Sequence, residues 1–133
     1  MELMLDTNTC IYLIKRKPPG VLKRLEAYAV GDIGISSITL AELQFGVAKS
    51  RERERNRQAL EEFVLPLEVA VFDQRAAETY GVVRSFLEAK GTPIGSLDTL
   101  IGAHAVSLGV TFVTNNTREF GRIRNLNVVD WTV

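Results

Sequence analysis

Five short apolar runs, almost unbroken by polar residues, constrain this chain more than any other feature. They are Leu3-Met4-Leu5, Ile33-Gly34-Ile35, Val69-Ala70-Val71-Phe72, Val110-Thr111-Phe112-Val113 and Val128-Val129. A strand with one wet face alternates apolar and polar side chains, whereas a strand covered on both faces does not. The runs therefore predict a parallel sheet with helices on each side. The intervening stretches agree. Leu97, Leu100, Ile101, Ala105 and Leu108 form a stripe at helical spacing, and Tyr80, Val83 and Leu87 form another. Gly91 and Gly109 stand where such helices should stop. Residues 51–64 are expected to form a further helix or a protruding arm. Strand–helix alternation of this kind closes through right-handed crossovers into an α/β three-layer sandwich with a central parallel sheet of about five strands. The 133 residues suit a single domain spanning 1–133.

Charge narrows the partners. The chain carries 16 basic and 16 acidic residues, a formal net charge of zero, so no global field draws it to a polyanion. A nucleic acid would have to be held by local basic groups or through metal ions. Lys15, Arg16, Lys17, Lys23 and Arg24 form one candidate cluster; Arg118, Arg122 and Arg124 form another. The stretch from Lys49 to Arg57 interleaves Arg with Glu52 and Glu54, the pattern of an exposed helix with internal ion pairs or of a protein contact. Cys10 is the only cysteine, which excludes an internal disulfide and suits a reducing compartment. The first residues lack the pattern of a signal peptide, and no run approaches the ~18 apolar residues of a membrane helix. A cytoplasmic protein without a membrane partner is expected.

Ligands of open parallel sheets bind beyond the C-terminal ends of the strands. Asp6, Thr7 and Asn8 follow the first run; Ser36 and Ser37 follow the second and lead into a helix carrying Glu42; Thr114, Asn115 and Asn116 follow the fourth. Asp98 falls in the first turn of the helix before that strand. Each acid also has a plain structural use. Asp6 could cap the next helix, and Asp98, behind Ser96 as N-cap, suits a helix dipole. Glu42 shares a face with Ile38 and Phe45 while Leu40, Leu43 and Val47 make a second apolar face. A carboxylate on a helix buried on two faces needs a partner, either an arginine or a site. Two carboxylates about 5 Å apart repel by about 3 kcal/mol at an effective dielectric of about 20. A divalent cation would relieve a cluster of them, and with hard oxygen donors and no Cys/His set the ion would be Mg²⁺ or Mn²⁺. His104, the sole histidine, lies on an apolar stripe and reads as a packed or capping residue. A mechanism using a histidine pair is excluded.

Four blocks in order then match a known family: Met4-Leu5-Asp6-Thr7-Asn8, Ser36-Ser37-Ile38-Thr39-Leu40-Ala41-Glu42-Leu43, Gly95-Ser96-Leu97-Asp98-Thr99-Leu100-Ile101-Gly102-Ala103-His104-Ala105 and Val113-Thr114-Asn115-Asn116-Thr117-Arg118-Glu119-Phe120. With the closing Val129-Asp130-Trp131, the chain resembles PIN-domain nucleases, and specifically the VapC toxins, over nearly its whole length. The resemblance implies a PIN-like sandwich and a Mg²⁺- or Mn²⁺-dependent endoribonuclease. Its catalytic acids would be Asp6, Glu42 and Asp98, with Asp6 and Asp98 as direct metal ligands and Glu42 bound directly or through water. Many members carry a fourth acid two positions after the Thr of the last block, where this chain has Asn116; Glu119, one turn later, could replace it. Thr7, Asn8, Ser37 and Thr114 are candidates to orient the carboxylates. The resemblance further implies structured RNA as substrate, with transfer RNA cut in the anticodon region. It also implies a VapB-type antitoxin in the groove, often with an Arg near the acids, a homodimer, and operator DNA bound only through the antitoxin complex. Two other readings keep part of the pattern. A haloacid-dehalogenase-like phosphohydrolase needs an Asp where Asn8 stands, and a non-catalytic binding module of the same fold would use the acids to meet a basic partner.

Overall fold

The computed structural model describes residues 1–133. The chain folds as β1 (Leu3–Leu5), α1 (Thr7–Lys15), α2 (Pro19–Leu25), β2 (Ile33–Ser36), α3 (Ser37–Ala48), α4 (Arg53–Val64), β3 (Glu68–Ala70), α5 (Gln74–Ala89), α6 (Ser96–Leu108), β4 (Thr111–Val113), α7 (Thr117–Phe120) and β5 (Val128–Val129). Every strand pairing is parallel and the strand order is β3-β2-β1-β4-β5. The expected five-stranded parallel sheet is therefore present.

Alternation along the strands sets the three layers. Leu3 and Leu5 of β1 point into one core with Cys10, Leu13, Ile35, Leu43 and Leu60 of the β2 and α1–α4 side. Met4 points the other way, into a second core with Leu87, Ile101, Phe112 and Phe120 of β4 and α5–α7. Both faces of the sheet are covered, which is why its strands read as unbroken apolar runs. Gly34 is required by β2's fit: a Cβ there would lie 2.5 Å from the Glu68 carbonyl oxygen of β3.

Two strands are shorter than their apolar runs. Val71 and Phe72 lie outside β3, because the Phe72 amide donates to the Ser37 hydroxyl at 3.0 Å instead of continuing the ladder, and Val71 is exposed. Val110 belongs to the stop of α6. Gly109 takes φ 67, and the Val110 amide reaches back to the Ala105 carbonyl at 3.3 Å, as in a glycine-terminated helix. Gly91, with φ 69, follows α5 in the same way. Residues 53–64 form an exposed helix, and its Arg57 bridges Glu54 at 2.7 Å and Glu61 at 2.5 Å, as the charge alternation predicted. Leu97 and Leu108, at the ends of the α6 stripe, are exposed. No helix is long and apolar enough to cross a membrane.

Candidate active site

The strand order reverses at β1: β2 and β3 continue to one side of it, β4 and β5 to the other. A crevice opens beyond the carboxyl ends of such neighbouring strands. Asp6 is the first residue past β1 and is tied to β4, its amide donating to the Val113 carbonyl at 2.9 Å. Its side chain is 3% exposed. It occupies the N-cap position of α1 but makes no capping hydrogen bond with its carboxylate. Instead the Thr114 hydroxyl, just past β4, donates to Asp6 Oδ2. Burial raises the Asp6 pKa. The Thr114 hydroxyl and the nearby Asn8 and Thr7 amides pull it back down, and Glu42 adds a further upward push.

Glu42 is delivered by α3, which Ser36 caps by accepting the Ile38 amide at 3.1 Å. The sequence predicted a helix buried on two faces; the structure buries only Thr39 and Leu43, and Phe45 is 65% exposed. Leu40, Leu43 and Val47 pack into one core and Ile38 against the other, and Phe45 alone of these apolar side chains meets solvent. Glu42 has no arginine partner. The Thr7 hydroxyl donates to its Oε1 at 2.8 Å.

Asp98 sits in the first turn of α6. The N-cap is Gly95 and not Ser96, which is the first helical residue; the Thr99 amide and hydroxyl both return to the Gly95 carbonyl, at 2.9 and 2.8 Å. The Asp98 pKa is pushed up to about 6, first by burial and then by the charges of Asp6, Glu42 and Glu119. Asp98 thus feels the charges of Asp6, just past β1, of Glu42 on α3 and of Glu119 on α7, and Asp6 feels that of Glu42. None of the four takes part in an ion pair. The donor set is all carboxylate oxygen, hard and anionic, which fits a divalent cation such as Mg²⁺ or Mn²⁺. The side chains as they stand do not place three acids at the spacing of one shared ion.

The other predicted residues divide. Thr7 donates to Glu42 and Thr114 to Asp6. Asn8 is exposed, and its side chain contacts neither acid by hydrogen bond. Ser37, expected to orient an acid, is spent on the Phe72 amide. Asn116 starts α7 and directs its own amide to the Thr114 hydroxyl at 3.0 Å, joining the chain that ends on Asp6. Of the basic clusters, Arg122 donates to the Pro93 carbonyl at 3.1 Å, Arg124 lies 4.5 Å over the Phe86 ring, and Arg24 donates to the Val133 carbonyl at 2.9 Å. These three serve the fold. Lys15 lines a groove of about 300 Å³ between α1, α3 and α4, walled by Ile11, Ile14, Val47 and Leu60 and reaching Thr7 and Glu42. The sequence does not reveal this groove, and it places Asn115 after the fourth run without a role; the Asn115 side-chain amide donates to the Tyr12 hydroxyl at 2.9 Å and pins the β4 loop to α1.

Comparison with known proteins accords with this geometry. The PIN domain family model matches residues 3–126. Ribonuclease VapC2 of Rickettsia felis is 46% identical over 132 residues, covering 98% of each chain. The tRNA(fMet)-specific endonuclease VapC of Salmonella typhimurium is 46% identical over 131 residues, again covering 98% of each. Among solved structures, VapBC2 from Rickettsia felis bound to a DNA fragment from its promoter superposes with a TM-score of 0.93 at 45% identity, covering 98% of this chain and 99% of that one. The chain belongs to the PIN-domain family and, within it, to the VapC ribonucleases.

Proposed function

We propose that this protein is an endoribonuclease toxin that hydrolyses a phosphodiester bond in structured RNA with the help of a divalent cation, Mg²⁺ or Mn²⁺. The observation that carries the reading is the convergence of Asp6, Glu42, Asp98 and Glu119 on one crevice with no cationic partner. Asp6 and Asp98 would hold the ion, with Glu42 completing the set and Glu119 standing where Asn116 brings no charge. A bound divalent ion acidifies water and offsets charge building on the phosphoryl oxygens. The chain's own residues do the rest. Thr114 fixes the Asp6 carboxylate from β4, and Thr7 fixes Glu42 from α1. Hydrolysis joins the oxygen of water to phosphorus, expels a ribose oxygen, and moves one proton from the water toward the leaving group. Glu42, half-buried and acceptor-only, suits the first proton transfer. His104 is buried and its pKa is lowered, chiefly by burial, so it takes no part in that step.

The substrate is transfer RNA, cut in the anticodon region. The name of the Salmonella typhimurium relative, tRNA(fMet)-specific, supports the class of RNA. The protein works in the cytoplasm as a single domain over 1–133 and pairs with itself as a homodimer. A VapB-type antitoxin silences it, occupying the groove beside Glu42 and setting an arginine against the acids, a favourable match for an anionic site. Operator DNA is bound only through that complex; the Rickettsia felis relative was solved with promoter DNA and the Salmonella typhimurium one with DNA, each as a VapBC complex.

The test is cleavage of a total transfer-RNA pool by antitoxin-free protein with Mg²⁺, with Mn²⁺ and with EDTA, beside Asp6→Ala. Discrete fragments that require metal and Asp6 are expected. Intact RNA in every lane from folded protein would sink the nuclease reading for transfer RNA, and fragments that persist in EDTA would sink the metal.

A further inference from the structure

The side-chain hydrogen bonds of α6 stay within the helix or reach the residues just before it, except at His104. Thr99 returns to Ile94 and Gly95, and Ser107 to His104. The exception is His104, whose Nδ1 lies 2.8 Å from Ser36 Oγ at the C-terminal end of β2 and whose ring also meets the Val71 backbone. Both residues are fully buried, at 1% and 0% exposure. Ser36 Oγ already accepts the Ile38 amide, so its single proton is free to go to the histidine. Phe72 closes the other flank, edge-on to the imidazole at 5.3 Å, and its amide is anchored on Ser37. The corner between β2 and α3 is thus clamped to α6 by one directional bond.

That bond stands in a telling place. Ser36 is six residues before Glu42 and His104 is six residues after Asp98, about 9 Å along each helix at about 1.5 Å per residue. On either side of His104 in the chain, Ala103 and Ala105 are both fully buried. Small side chains give a helix little steric register, and apolar contact is not directional. A shift of the helix at His104 would carry Asp98 with it as a rigid body.

We propose that His104 is a positioning residue, whose hydrogen bond to Ser36 sets the separation between the Asp98-bearing and Glu42-bearing helices and so the geometry of the ion site. This rests on the metal-dependent reading above. A misplacement of about 1 Å can cost about 100-fold in a catalysed reaction.

The experiment compares His104→Asn, His104→Gln and His104→Leu with the parent protein by Mn²⁺ titration, by kcat and KM for RNA cleavage, and by melting temperature. Asn offers its oxygen where Nδ1 stands; Gln offers it one bond further out; Leu offers none. The expected result is a loss of about 10-fold or more in Mn²⁺ affinity and in kcat for Gln and Leu, little change in KM, and recovery to within about 3-fold for Asn. If Leu fails to fold, the Asn and Gln pair decides alone. Folded Gln or Leu protein that binds Mn²⁺ and cuts like the parent overturns the proposal, as does an Asn variant that falls as far as Gln. A parent protein that neither binds Mn²⁺ nor cuts RNA fails the metal reading itself, and the positioning role with it.

Discussion

The helix α4 and the crevice beyond β1 hold charge in opposite ways. On α4, Arg57 sits between Glu54 and Glu61 and Arg55 faces Glu52, all exposed and all paired. In the crevice, Asp6 is buried, Asp98 and Glu42 are half-buried, and none has a cation. The surface ladder pairs its charges and gains little, because water already screens them. The crevice is anionic and costs stability, because burial and mutual repulsion both oppose its ionised form. This uncompensated charge is the observation on which the proposed cation site rests. That is the physical content of the site, independent of any likeness to other proteins.

The largest expected effect breaks the comparison outright. Asp98→Asn removes one crevice charge and keeps the shape. Cleavage should fall by about 1000-fold or more, as the loss of about 4 kcal/mol of charge stabilisation requires, while the metal-free melting temperature stays level or rises. A variant that loses activity by unfolding would make Asp98 a helix-dipole residue and nothing more. Thr114→Val comes next. It leaves the Asp6 carboxylate buried without its hydroxyl donor, at a cost of about 1–3 kcal/mol, and should lower cleavage by about 10- to 100-fold. Denaturant unfolding and single-turnover cleavage would check the two effects separately.

The pH dependence of stability sharpens the contrast further. Asp98 moves from an ordinary 3.8 to about 6 on folding, so the folded chain binds this proton more tightly than the unfolded one. The associated stability is complete below about pH 4 and is lost as pH rises through about 6. Discounted for partial exposure, the metal-free protein should be about 1–2 kcal/mol less stable at pH 7 than at pH 4.5 from this group alone. Urea titrations of the parent and Asp98→Asn across that window would show the slope in one and its reduction in the other. The smallest effect belongs to α4. Arg57→Ala breaks two ion pairs and should leave the melting temperature within about 2 °C and cleavage unchanged. A large loss of either would mean that this helix carries a contact beyond its own ladder.

Much of this was legible in the chain. Unbroken apolar runs require a sheet covered on both faces, and Leu3, Met4 and Leu5 divide between the two cores as that pattern demands. The acids were legible too, since a sheet of parallel strands places Asp6 and the helix of Glu42 beyond the same edge. The errors have local causes. The apolar run Val69–Phe72 overshoots β3 because apolarity does not reveal where a ladder hydrogen bond is replaced by Ser37. The apolar residues of α3 suggested burial on both faces, and Ile38, Leu40, Leu43 and Val47 do pack inward, yet nothing covers Phe45.

The sequence by itself determined the layers, the order of acids along the chain and the pairing on α4, because each follows from the spacing of near neighbours. Only the tertiary structure decided which hydroxyl holds which acid. Thr7 reaches Glu42 across 35 positions, His104 reaches Ser36 across 68 and Thr114 reaches Asp6 across 108. Those bonds exist because β1 lies between β2 and β4. Strand order is a property of the whole packed chain, and no local pattern of residues encodes it.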